Sequence, residues 1–149
     1  MAKPFALQPI HELMQTRTDE ATQHLARLIA SERDARNKLD MLTQFRDEYV
    51  DRFRQATQNG ITQREWQNYL EFLNRLDDAI NAQRQAVAVQ ERNTAAGKEH
   101  WQQQRRKLKA FDTLANRHLT KENAAELKRE QKMLDEFAAR NSGPGKEDQ

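Results

Sequence analysis

The chain has 149 residues, of which 36% are hydrophobic and 32% are charged, and its mean hydropathy is −1.10. With four glycines and three prolines it has too little turn-forming material for a sheet protein and too little apolar material for a thick core, so the composition predicts long helices. The absence of cysteine excludes disulfides and thiolate chemistry, and a net charge of +2 excludes a strong polycation. The stretch MAKPFALQPIHEL lacks the apolar core of a signal peptide, which predicts a soluble cytoplasmic protein.

The first predicted element is a helix over about 9–58. Pro9 indicates its start, because proline is tolerated in the first helical turn but not further in. Every seventh residue is apolar, and a second apolar layer falls three or four residues on, which is typical of a coiled-coil seam. The first layer comprises Leu7, Met14, Ala21, Leu28, Ala35, Leu42, Tyr49 and Ala56, and the second comprises Ile10, Leu25, Leu39, Phe45 and Phe53.

A turn is predicted over 59–61. Asn59 and Gly60 accept the positive φ that closes a helix. Thr62 is then the N-cap of the next helix, with Glu65 three residues later as in a capping box. A turn this short makes the two helices antiparallel.

The second helix is predicted over about 62–140. Its seven-residue steps give Trp66, Leu73, Ile80, Val87, Thr94, Trp101, Leu108 and Ala115, and its second layer gives Tyr69, Leu76, Gln83, Gln90, Gly97, Gln104, Phe111 and His118. The second layer is apolar at its ends and polar in its middle. Gly97 alone costs about 1 kcal/mol relative to Ala in a helix interior, so the pattern predicts modest stability.

Together these elements predict an all-α fold, a single long antiparallel two-helix coiled-coil hairpin over residues 1–141, monomeric when free, with a flexible tail over 142–149. If the turn is centred near residue 60, position p faces about 120 − p, and the second helix extends beyond the first as a C-terminal overhang. Residues 112–140 are then predicted to lack an intrachain partner. The overhang carries exposed apolar side chains and is predicted to be a partner-binding tail, centred on Met133, Leu134 and Phe137.

The sequence shows no arrangement typical of catalysis. Four histidines lack metal-ligand spacing, and no glycine-rich loop precedes a helix, so we expect neither enzyme activity, nor a metal, nor a cofactor. The basic stretch KEHWQQQRRKLK, 98–109, could contact RNA or an acidic membrane, although a solvated outer face or an acidic protein partner is favoured. A structural or RNA- or ribosome-associated helical hairpin therefore stays open as an alternative function.

Three stretches around and after the turn are distinctive: LDMLTQFRDEYVDRF, then GIT followed by WQNYLEFLNRLDDAINAQRQ, and EQKMLDEFAAR near the C-terminus. They resemble the FliJ family of flagellar type III export, which is related to the YscO-type stalk proteins. The likeness covers nearly the whole chain and is densest over residues 39–83.

The resemblance implies a soluble, stalk-like coiled coil that promotes ring assembly of the hexameric flagellar export ATPase, contacts the cytoplasmic domain of the export gate and handles export chaperones. It also implies a cytoplasmic location peripherally associated with the inner membrane. From the residues themselves we expect no nucleic-acid partner and no direct membrane insertion.

The resemblance also implies an export-gate-binding cluster beside the turn. The matching positions are Leu42, Phe45, Tyr49, Phe72, Leu76 and Ala79, with Lys38 and Gln83 at the edge of the cluster. Four of these residues fall in the predicted seam, where the alternative role is core packing. Phe72 and Ala79 lie one residue off the seam, so Phe72 is predicted to be exposed and functional.

Overall fold

The computed structural model describes residues 3–142, which form two helices and no strand. Helix α1 spans Gln8–Asn59 with 52 residues, and helix α2 spans Gln63–Asn141 with 79 residues. The predicted all-α helical hairpin is confirmed. Of the predicted flexible tail, 142–149, only Ser142 is described, and its amide donates to the Ala138 carbonyl; residues 143–149 lie outside the described residues.

The turn between the helices is built by Gly60 and Thr62. Gly60 has a φ of +86°, and its amide donates to the Thr57 carbonyl, which closes α1. The Thr62 hydroxyl accepts a hydrogen bond of 3.2 Å from the Glu65 amide, so Thr62 is the N-cap of α2. The chain reverses within three residues because each helix end supplies its own cap.

The chain divides into two compact units. The turn unit is Asp19–Gln102, and the terminal unit is Met1–Thr18 with Gln103–Gln149. In the turn unit the helices run antiparallel, so the residue numbers of two facing residues have a nearly constant sum. That sum is 122 for Thr94 and Leu28 and 123 for Trp101 and Thr22, which are hydrogen-bonded to each other. The register is therefore two to three residues beyond the predicted 120, because the loop between the helices is centred on Ile61 rather than on Gly60.

The core of the turn unit is one seam wide. Its buried residues are Ala21, Leu76, Ile80, Val87 and Gly97. Trp66, predicted to lie in the seam, is 44% exposed, and that prediction is wrong. The predicted seam position of Phe45 is also wrong, because Phe45 is 40% exposed and its neighbour Arg46 faces α2. Seven-residue steps from Leu39 lead to Arg46 rather than to Phe45. A shift of one residue along a helix turns the side chain by about 100°, which moves Phe45 out of the seam.

The polar residues in the middle of the seam form hydrogen bonds between α1 and α2 of the turn unit. The Gln83 side-chain amide donates to the Ala35 carbonyl at 2.9 Å, and the Thr94 hydroxyl lies 3.3 Å from the Leu28 carbonyl. The indole of Trp101 donates to the Thr22 hydroxyl at 2.8 Å. These bonds satisfy polar groups that would otherwise weaken the seam, since a buried polar group without a partner is destabilising.

The terminal unit repeats the same packing with fewer apolar residues. Met14 and Thr18 are buried, and the Thr18 hydroxyl lies 3.3 Å from the carbonyl of Gln104, itself 8% exposed. Ile10, predicted in the second layer, is 43% exposed, because His11 occupies the facing position and pairs with Asp112. The seam position predicted for Ile10 is therefore wrong for the same reason as that of Phe45.

Residues that precede α1 continue along α2. The amide of Lys3 donates to Glu122 Oε2 at 3.1 Å, and the carbonyl of Lys3 lies 2.8 Å from Nε2 of His118. The ring of Phe5 lies 5.5 Å from that of His118. The prediction that α2 lacks an intrachain partner from residue 112 is therefore wrong for 112–122. The uncovered segment begins after Glu122, and residues 123–142 are all exposed.

Candidate docking surface beside the turn

Five aromatic residues of the turn unit form a continuous cluster, which we name the aromatic cluster. Tyr49 is at its centre, with ring centroids 4.6 Å from Phe72 and 5.3 Å from Tyr69. Phe45 meets Phe72 edge to face at 6.2 Å, and Phe53 lies 5.2 Å from Tyr69. These separations are typical of favourable aromatic pairs, so rings from the two helices hold one another in place.

The residues predicted to bind the export gate differ in exposure. Phe45 and Phe72 are 40% and 36% exposed, and Ala79 and Lys38 are exposed as well. Leu42, Tyr49 and Gln83 are half-buried, while Leu76 is only 7% exposed. The structure therefore brings the predicted residues together on one part of the turn unit, but Leu76 supports that part from within the core.

Two polar groups lie in or beside the aromatic cluster, the Tyr49 phenol and the Arg46 guanidinium. Burial, followed by the neighbouring Tyr69, raises the pKa of the Tyr49 phenol, which stays neutral at physiological pH. Beside the cluster, Nε of Arg46 donates to Oδ1 of Asp77 on the facing helix. This bond with Asp77 raises the pKa of the Arg46 guanidinium, which is charged throughout the accessible pH range. The pair links α1 to α2 where the apolar seam is interrupted.

The sequence interpretation missed Met41. Its side chain is 69% exposed, and with Lys38, Leu42, Phe45 and Glu48 it lines a shallow groove on α1. The signal was present, since 38, 41, 45 and 48 follow the helical repeat one residue before the seam positions 39, 42, 46 and 49. Met41 extends the apolar surface of Phe45 toward Lys38.

The predicted partner-binding tail lies in the terminal unit, beyond the last covered residue of α2. Met133, Leu134 and Phe137 are 70%, 63% and 64% exposed, and they form one patch with Glu136 and Arg140. Leu127, one heptad before Leu134, is 66% exposed. The described residues thus include a second apolar surface, separate in sequence from the aromatic cluster.

The described part of the chain has neither a candidate metal site nor a candidate membrane-spanning helix. Within residues 3–142, no three histidine or acidic side chains are grouped so as to hold a metal ion. No helix in the same range is long and apolar enough to cross a membrane.

The fold and the candidate surface define a helical-hairpin protein whose site consists of exposed side chains on two paired helices. A sequence model described as the flagellar FliJ protein matches residues 3–146, and the chain therefore belongs to the flagellar FliJ protein family. The resemblance found in the sequence is confirmed. Flagellar FliJ proteins from Salmonella typhi and from Escherichia coli (strain K12) are each 29% identical to it over 140 residues, covering 94% of this chain and 95% of each relative. The chain is a flagellar export component on the strength of that family.

Proposed function

We propose that this protein is a stalk-like, non-catalytic component of flagellar export. It promotes assembly of the hexameric export ATPase ring, contacts the cytoplasmic domain of the export gate and handles export chaperones. Membership of the FliJ family and the two-helix fold support this proposal. These contacts keep it in the cytoplasm, peripherally associated with the inner membrane.

One observation carries the gate contact: the aromatic cluster presents apolar surface while its rings are already fixed. Phe45 and Phe72 are exposed on one side and packed against Tyr49 on the other. Because their rotamers are restrained before binding, little side-chain entropy is lost on docking. Aromatic anchors of this kind dominate the energetics of many interfaces.

The predicted residues divide into two roles. Phe45, Phe72 and Ala79 form the contact surface, because they are the exposed apolar members of the set. Leu76 positions them from the core, and Gln83 does so through its bond to the Ala35 carbonyl. Lys38, exposed at the end of the groove, supplies a charge at the rim of the surface.

Ala79→Glu tests the surface without removing core atoms. A carboxylate at this exposed position would be buried unpaired on docking, so we expect the affinity for the purified gate domain to fall by about 2 kcal/mol or more. The free energy of unfolding, obtained from thermal melts, should stay within about 0.5 kcal/mol of the wild-type value, as for most surface substitutions. Phe72→Ala is a less clean probe, because it also removes ring contacts to Tyr49 and Phe45.

The matched control is Ala96→Glu, the same substitution at another exposed alanine of the turn unit. It should leave both the gate affinity and the melt unchanged. Equal gate affinity for wild type and Ala79→Glu would remove this surface from the proposed function.

A further inference from the structure

The outer surface of α2 in the terminal unit is strongly basic. Between residues 105 and 121 the chain has six basic residues and one acidic residue, Asp112. The basic residues are Arg105, Arg106, Lys107, Lys109, Arg117 and Lys121. This concentration is local, because the whole chain has a net charge of only +2.

Helical spacing places four of these cations away from the covered side. Gln104, Leu108, Phe111, Ala115 and His118 are buried or half-buried, and they define the side of α2 that is packed. Arg106, Lys109, Arg117 and Lys121 are exposed, and we name these four residues the basic face. Thr113, Asn116 and Thr120 lie between them, so the intervening surface is uncharged.

Acidic neighbours do not neutralise the basic face. Asp112 is bonded to Nε2 of His11, and Oε2 of Glu122 accepts the amide of Lys3. Both carboxylates are thus directed toward the N-terminal residues. In the part of the chain that the structure describes, no cation of the basic face makes an ion pair. Four exposed, unpaired cations along one helix produce a positive potential that attracts an anionic partner.

We propose that the basic face binds the surface of an anionic lipid bilayer. From Arg106 to Lys121 the cations extend over 15 residue steps, about 22 Å along one helix, and a planar array of headgroups can meet all four together. The only aromatic residue between 105 and 121 besides the histidine, Phe111, is half-buried, so the face offers no exposed ring on which a nucleic-acid base could stack.

This binding is peripheral and electrostatic. Each cation near an anionic membrane strengthens binding about fivefold, so loss of three should weaken it about a hundredfold. Screening shortens the reach of these charges to about 10 Å at 0.1 M salt, and binding should decline steeply above that concentration. The inference goes beyond the export contacts, since a protein that fails to bind the gate domain could still bind lipid.

Cosedimentation with vesicles tests the proposal on the full chain. The vesicles are phosphatidylcholine alone, or phosphatidylcholine with about one third phosphatidylglycerol. We expect wild type to sediment only with the anionic vesicles, and to be released by salt. The triple variant Arg106→Glu, Lys109→Glu, Arg117→Glu should stay in the supernatant, with an unchanged circular-dichroism spectrum.

A charge-matched variant separates the basic face from net charge. Arg27→Glu, Arg33→Glu and Arg84→Glu change the total charge equally, at exposed positions of the turn unit. This variant should retain most of the vesicle binding. The proposal is overturned if both triple variants lose binding equally, if wild type binds neutral vesicles as well as anionic ones, or if a single-stranded RNA binds the basic face more tightly than the anionic vesicles do.

Discussion

Gly97 is buried where α2 packs against Leu28 on α1. A Cβ added there would collide with the Cδ1 methyl of Leu28 and would also contact Leu25. The absence of a side chain therefore lets the leucine occupy the seam. The packing of Leu28 against Gly97 offsets the low helix propensity of glycine. That propensity alone predicts a locally destabilised helix at this position.

We expect Gly97→Ala to destabilise the hairpin by about 1 kcal/mol, because overpacking outweighs the gain in helix propensity. In a Leu28→Ala background the added methyl has room, and the same substitution should stabilise by about 1 kcal/mol. Thermal and urea melts of the four proteins give the coupling energy. A gain in stability from Gly97→Ala in both backgrounds would contradict the close packing of Gly97 on Leu28.

Phe45 and Arg46 show how far the sequence predicts the candidate site. The seven-residue repeat correctly placed Leu42 and Tyr49 in the seam and left Phe72 and Ala79 outside it. Apolar character suggested Phe45 for the seam, but the helical phase selects Arg46, whose charge is compensated by Asp77 on the other helix. Such a compensating partner is visible only once the register is known, and a shift of two to three residues changes which side chains face each other.

At the scale of elements, the last described contact between α2 and the rest of the terminal unit involves Glu122. Every residue from 123 to 142 is exposed, including Leu127, Met133, Leu134 and Phe137. An apolar stripe that adds nothing to the packing of the chain is typical of a binding surface. We propose that it contacts the export ATPase ring.

Deletion of residues 125–149 removes this stripe and, among the residues that the structure describes, no bond to the N-terminal residues. The free energy of unfolding from thermal melts should therefore change by no more than about 0.5 kcal/mol, while binding to the ATPase ring weakens. Deletion of 113–149 is the control, because it also removes the partners of Lys3 and Phe5 and should lower the melting temperature. If the shorter deletion unfolds the hairpin, the tail is part of the folded core.

The pairing of the N-terminal residues with α2 could not be predicted from helical periodicity. Pro9 correctly indicated that a helix begins nearby, yet residues 3–7, which precede α1, are not helical. They are bound through the backbone of Lys3 and the ring of Phe5. A backbone group carries no residue-specific signal, so this part of the fold is missed when side-chain patterns alone are considered.

For the whole molecule, each helix covers the seam of the other within the same chain. In both units the seam positions of α1 and α2 are buried or half-buried over most of their length. A second copy is not needed to cover them, so we predict a monomer. Melting temperatures should be independent of protein concentration, and sedimentation equilibrium should give the 17.5 kDa of one chain. A melting temperature that rises with concentration would instead show that the seams pair between chains.

The attachment of Lys3 to α2 has a practical consequence for the design of fusion proteins. Both backbone groups of Lys3 are occupied, and Phe5 is packed against His118. A bulky tag fused directly before this segment would crowd Lys3 and Phe5, and loss of their contacts would uncover α2 at His118 and Glu122. Affinity tags used to capture binding partners should therefore be placed behind a flexible spacer, or artificial partners will be recovered with the genuine ones.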